Sequence, residues 1–145
     1  MELHVRRFAE LSAAELHELY RLRVSVFVVE QHCPYQEIDD ADPQALHVWL
    51  QDEQGVAAYL RVLPRGVHFA DVSLGRVIAA RRHAGLGSRI LAEGITIARR
   101  ECGAERIVLA AQCVARPFYE KSGFAVCSEE FVEDGIPHVM MELRA

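Results

Sequence analysis

The chain has 145 residues, 51% of them hydrophobic and 26% charged, with a formal net charge of −5. That balance fits one globular domain over residues 1–145 and excludes a disordered chain. The negative charge argues against nucleic acid as a partner, and apolar runs well short of the ~18 residues of a spanning helix argue against the membrane.

The N-terminus, MELHVRRFAE, has no apolar core of a signal peptide, so the expectation is a cytoplasmic protein. Cys33, Cys102, Cys113 and Cys127 stand singly and read as reduced thiols. Seven histidines are scattered without HExxH or paired ligand spacing, so no metal is expected. All basic residues but Lys121 are arginines, and Arg76, Arg81, Arg82 and Arg89 share one segment. Acids gather at residues 30–42 and again at 129–134. One basic and two acidic spots suit a protein with an anionic and a cationic ligand.

In chain order, LHVRRF reads as a short strand. Ser12 with Glu15 forms a capping box that opens a helix, with Leu16, Leu19, Val26 and Phe27 on one face. Cys33-Pro34 and the acids that follow end it. LHVWLQD and VAAYLRVL form a hairpin turning at Gly55. VSLGRVI, a fourth strand, leads into a helix from about Gly85. Leu86, Ile90, Leu91, Ile97 and Ala98 stripe that helix, and Gly103 closes it. RIVLAA reads as a buried central strand. VARPFYEKSG is a short helix in which Pro117 is confined to the first turn and disfavours helical angles at Arg116. FAVCSEEFV and PHVMMEL close the chain as a hairpin over Glu133-Asp134-Gly135. The order β-α-β-β-β-α-β-α-β-β gives an α/β domain with a mixed sheet and helices on both faces.

Chemistry concentrates in LGRVIAARRHAGLGSRIL. A strand runs through a turn reading R-x-x-G-x-G at residues 82–87 into a helix whose first amides lack internal partners, an arrangement that suits phosphate. No GK[ST] follows, so it is not a P-loop, and two glycines do not make a dinucleotide fingerprint. Downstream, Gln112, Ala115, Phe118, Tyr119, Gly123 and Phe124 follow the pattern N-x-x-A-x-x-F-Y-x-x-x-G-F, with Gln in place of Asn. With both motifs in this order, nearly the whole chain resembles the GNAT acyl-CoA N-acyltransferase superfamily. RVSVFVVEQHCPYQEID, GRVI and EDGIPHVMM resemble its ElaA-like family in particular.

The resemblance implies a GNAT fold: a mostly antiparallel sheet of about seven strands, splayed between the fourth and fifth. It implies transfer of an acetyl group from acetyl-CoA, as co-substrate and without metal, to a small-molecule or peptide primary amine. The main chain of Gly75, Arg76 and Val77 would pair with pantetheine. Residues Arg82, His83, Ala84, Gly85, Leu86, Gly87 and Ser88 would hold the pyrophosphate, and Gln112 would contact the cofactor. His83 departs from the usual glycine, and Ala79 and Ala80 from the usual proline. Tyr119 would be the general acid, with Glu30 and His138 as rival bases. Gln31, Tyr35, Glu37 and Asp39 would form the acceptor wall. A non-catalytic coenzyme A-binding module is the alternative, and a homodimer is left open.

Overall fold

The computed structural model describes residues 1–81 and 85–144. The elements are β1 (Glu2–Arg7), α1 (Ala13–Val24), β2 (Leu46–Asp52), β3 (Gly55–Leu63), β4 (Val72–Ala79) and α2 (Leu86–Cys102). They are followed by β5 (Arg106–Gln112), α3 (Arg116–Glu120), β6 (Ala125–Val126), β7 (Phe131–Glu133) and β8 (Ile136–Arg144). The capping box at Ser12 forms as its sequence suggests. The Glu15 amide donates to the Ser12 hydroxyl at 3.0 Å, and the Glu15 carboxylate accepts from the Ser12 amide at 2.9 Å.

One sheet carries the fold in the order β1-β2-β3-β4-β5-β8-β6, with β7 also paired to β8. Every neighbouring pair is antiparallel except β4 and β5, which are parallel and joined only at Val72↔Ile107 and Ser73↔Val108. Beyond that point the two strands part. On one face, α1 packs Leu19 against Trp49, Tyr59 and Ile78. On the other, α2 and α3 bury Ile90, Leu91 and Tyr119 against Leu60, Val62 and Leu109. Alternation along β3 separates the two cores: Leu60 and Val62 face α2, Tyr59 faces α1.

Three details differ from the sequence reading. The first helix continues past Val24 as a π-helical turn over Ser25–Glu30, which carries Val26 and Phe27 along the α1-side core. The strand expected over residues 124–132 is split. Ala125 and Val126 pair with Glu142 and Met141, but Phe131 pairs with His138, so two residues of slip lie between. There the Ser128 hydroxyl takes the Met140 amide at 2.8 Å, replacing a ladder bond. Eight strands are present among the described residues where about seven were expected. Finally, Arg116 is helical (φ −50°, ψ −48°) despite preceding Pro117, because it continues the 3-10 turn Cys113–Ala115 directly into α3.

Candidate active site

The site begins where β4 and β5 part. At its pairing with β3 the β4 ladder shifts register between Tyr59 and Arg61, and Arg76 takes a left-handed φ of 54°. A side chain rarely adopts that geometry, and here it marks a bulge that turns β4 away from β5. The parting opens a cavity of about 300 Å³. Gly75, Arg76 and Val77 line it from β4, and Leu109, Ala110 and Gln112 from β5. Ala115 and Tyr119 close one side, while Phe27, Tyr35, Arg61 and His138 stand on the other.

Tyr119 is 9% exposed and packed edge-on between Phe118 and Phe124. Burial pushes its phenol up to about 12, so near neutral pH it is a proton-bearing donor. On the opposite wall His138 is 8% exposed and stacked on Phe131. Its Nδ1 lies 2.7 Å from the Ile136 carbonyl, which can only accept, so Nδ1 carries the proton. In the tautomer this bond selects, Nε2 carries the ring's lone pair, and the Glu133 carboxylate lies 3.8 Å from it. Glu133 and Asp134, read from sequence as a hairpin turn within the second acidic cluster, both line the cavity.

Of the coenzyme-side expectations, Arg82, His83 and Ala84 lie outside the described residues. Gly85 is the α2 N-cap at φ +67°; among the described residues nothing lies within 4 Å of where a side chain would be, and no side chain caps the first turn. The Arg89 amide begins the helical ladder on the Gly85 carbonyl at 2.9 Å, leaving the amides of Leu86, Gly87 and Ser88 as terminal donors. Leu86 is buried in the core. Gly87 has a packing reason of its own: a Cβ there would meet the Phe118 ring at 3.2 Å. Gln112 donates to Gln31 at 3.1 Å across the cavity mouth, bringing together two residues 81 apart in sequence.

The acidic loop is built differently from a free rim. Glu37 is 2% exposed and accepts from Arg23 Nε at 3.1 Å, from Arg23 Nη2 at 3.0 Å, and from Arg76. Asp39 accepts from Arg61 at 2.7 and 2.9 Å. Asp42, fully buried, binds Arg23 at 2.7 Å and Arg61 at 2.9 Å. Desolvation opposes ionisation of Asp39 and Asp42, but the arginine bonds outweigh it and hold both carboxyls below their usual range. Neither Glu37 nor Asp39 lines the cavity, and exposed Glu30 lies outside it too. Tyr35 does line it, under the Arg76 guanidinium at 5.4 Å, with burial pushing its hydroxyl up to about 12. The structure thus brings together Tyr119, His138, Gln31, Gln112 and Tyr35, and withdraws Glu37 and Asp39 into an ion-pair network. Cys33 also reaches the cavity, its thiol 3.3 Å from the Asp134 carbonyl.

Arg23 and Arg61 escaped the sequence reading, although a signal existed. Arg23 falls on the same helical stripe as Leu19, Val26 and Phe27, and Arg61 shares a strand face with Tyr59. Such positions are buried, and a buried arginine demands carboxylates.

The model of the acetyltransferase (GNAT) domain family matches residues 13–145. The chain belongs to that family. It is 36% identical to a UPF0039 protein of Schizosaccharomyces pombe, over 99% of this chain and 97% of the relative. An acyl-CoA N-acyltransferase structure from Pseudomonas aeruginosa superposes with a TM-score of 0.91 at 35% identity, covering 100% of both chains. Escherichia coli ElaA gives 0.87 at 34% identity, covering 97% of each. This GNAT protein is therefore ElaA-like, and its fold is that of an acyltransferase. No helix among the described residues is long and apolar enough to cross a membrane.

Proposed function

We propose that the protein transfers an acetyl group from acetyl-CoA to a primary amine by direct attack. The observation that carries this reading is the convergence of a protonated phenol, Tyr119, and an oriented imidazole, His138, on one cavity at the β4–β5 gap. The α2 terminus suits the pyrophosphate through the Leu86, Gly87 and Ser88 amides, with the conformation and open space of Gly85. The main chain of Gly75, Arg76 and Val77, freed from β5, suits the pantetheine amides, with Gln112 beside them.

The acceptor arrives as an ammonium, drawn by Glu133 and Asp134. For a lysine-like amine, deprotonation at pH 7 costs about 4–5 kcal/mol, so a base must take the proton. His138 Nε2 takes it, directly or through one water, and Glu133 offsets the imidazolium charge. The neutral nitrogen attacks the thioester carbon, and the tetrahedral intermediate collapses with loss of the nitrogen's second proton to solvent as the C–S bond breaks. Tyr119 then donates its hydrogen bond to the departing sulfur. Because burial makes the phenol a weaker acid, its contribution lies in stabilising the thiolate as it forms, with proton delivery completing late. Glu30, exposed and outside the cavity, is the weaker of the two candidate bases.

The test is to incubate the protein with acetyl-CoA and a panel of amines and peptides, following thiol release. His138→Gln should lower kcat/KM for the amine, with part of the loss recovered at higher pH, where more acceptor is already neutral. Coenzyme A binding without thiol release for any amine would favour the binding module instead. An unchanged rate in His138→Gln would remove the base assignment.

A further inference from the structure

Two observations meet on the cavity floor. Arg61 is 2% exposed and lines the cavity, and its Nε has no hydrogen-bond partner among the described residues. Both its terminal nitrogens are engaged: Nη1 binds Asp39 at 2.7 Å and Asp42 at 2.9 Å, and Nη2 binds Asp39 at 2.9 Å. The guanidinium cannot swing to satisfy Nε without breaking those bonds. Leaving such a donor unmet costs about 1–3 kcal/mol.

Gly75 is the Cα partner of Arg61 across β3 and β4. Its φ is not positive, so its backbone does not require glycine. A Cβ built there would lie 4.0 Å from Arg61 Nε, with no other atom of the described residues so near outside its chain neighbours. The missing side chain therefore keeps open a space beside Nε, the nitrogen of this fixed guanidinium that has no partner among the described residues.

The charges around it select what fits. Arg23, Arg61 and Arg76 face Glu37, Asp39 and Asp42, three cations against three anions. A carboxylate bound there would be an uncompensated buried charge, and it would also face Glu133 and Asp134 across the cavity. A neutral carbonyl oxygen accepts from Nε without that cost. Arg61 lies on the α1 face of the sheet, on the same side of β3 as Tyr59 and bonded to Asp42, away from the α2 terminus that suits the pyrophosphate.

We propose that Arg61 Nε and the space over Gly75 recognise a neutral carbonyl oxygen on the acceptor. The preferred substrate class is thus an amine bearing an amide, as in amino-acid amides or peptides, over a plain alkylamine. This rests on the acetyltransferase reading above. Gly75→Ala is the probe, because its Cβ makes only ordinary contact and needs no strained backbone.

The experiment compares kcat/KM for a short amino amide and for the alkylamine of equal length, in wild type and in Gly75→Ala. Taking the ratio of ratios cancels the different basicities of the two amines. Wild type should favour the amide, and the variant should reduce that preference about tenfold. An equal fall for both acceptors with a raised KM for acetyl-CoA would assign the donor to the thioester side and overturn the proposal. An unchanged preference would overturn it as well. Turnover of the alkylamine by wild type tests the acetyltransferase reading separately. Calorimetric titration of both amines needs no turnover. Tighter binding of the amide, weakened in Gly75→Ala, supports the proposal, and equal binding overturns it.

Discussion

Arg23→Met removes one cation from a network that is otherwise balanced three against three, while keeping an unbranched apolar stem. Arg23 is 0% exposed and binds Glu37, itself 2% exposed, and Asp42, 0% exposed. Asp42 would retain Arg61 at 2.9 Å and Glu37 would retain Arg76, so the variant buries one net negative charge. Breaking a buried pair this way costs about 3–5 kcal/mol. Unfolding entropy scales to about 0.3 kcal/mol/K for 145 residues, which converts that cost to a Tm loss of about 10–16 °C. Circular dichroism during thermal and urea unfolding measures it. Because Asp39 and Asp42 have depressed carboxyls, their stabilisation in wild type holds above the unfolded value and is lost as pH falls through the lower folded one. At pH 5 wild type keeps it, while in the variant a surplus carboxylate can begin to take up a proton, so the gap should narrow. Adding Glu37→Gln to Arg23→Met restores neutrality and should recover part of the loss. A loss below about 1 kcal/mol, within the range of an exposed surface pair, would refute the buried-network argument. So would a gap independent of pH.

Tyr119→Phe should leave coenzyme A affinity within about twofold and lower kcat a hundredfold or more; rapid-quench measurement of thiol release separates chemistry from binding. His47 is fully buried, and desolvation lowers its pKa, while neutral Nδ1 and Nε2 meet the Tyr59 hydroxyl at 2.8 Å and the Asp42 carbonyl at 3.0 Å. Its contribution is therefore full above about pH 6.5, the unfolded value, and falls on acidification toward the folded value by up to about 1.4 kcal/mol per pH unit. His47→Gln should flatten that part of the stability profile in urea titrations, and an unaltered slope would assign it to other groups. Gly94→Ala places a Cβ 2.6 and 2.9 Å from the Leu60 methyls, which are fully buried. Overpacking of about 1–3 kcal/mol should exceed the roughly 1 kcal/mol gained in helix propensity, giving a net fall in Tm.

How far the sequence could be read depended on whether a feature was local. The Ser12 cap, the Gly55 and Gly135 turns and the Gly103 terminus each involve residues within one or two turns of chain, and all were legible. The division of the last antiparallel pair was not, because the Ser128 hydroxyl that interrupts it binds an amide 12 residues away. The acidic loop failed for the same reason at longer range. Residues 37 to 42 show their charges in sequence, but the arginines that neutralise them lie 14 to 39 positions away. Glu133 and Asp134, legible as a turn and as part of a second acidic cluster, stand in the cavity, and β8 brings Glu133 to 3.8 Å from His138.

That exchange of roles between two acidic segments explains how a bulge survives in β4. Arg76 holds a left-handed φ of 54°, a conformation that costs about 1 kcal/mol or more for a residue with a side chain. Its guanidinium binds both the carboxylate and the carbonyl of Glu37, the latter at 2.9 Å, reaches Asp39 at 3.4 Å, and stacks over Tyr35 and Phe27. Those contacts over-determine the bulge. The bulge in turn separates β4 from β5 and opens the cavity between Tyr119 and His138. On the proposed mechanism the buried acids of the loop would act through backbone geometry, and the turn acids at 133 and 134 through charge in the cavity itself. On this argument, replacing Glu37 changes the shape of the gap before it changes any proton transfer. Replacing Glu133 changes proton transfer and leaves the gap alone.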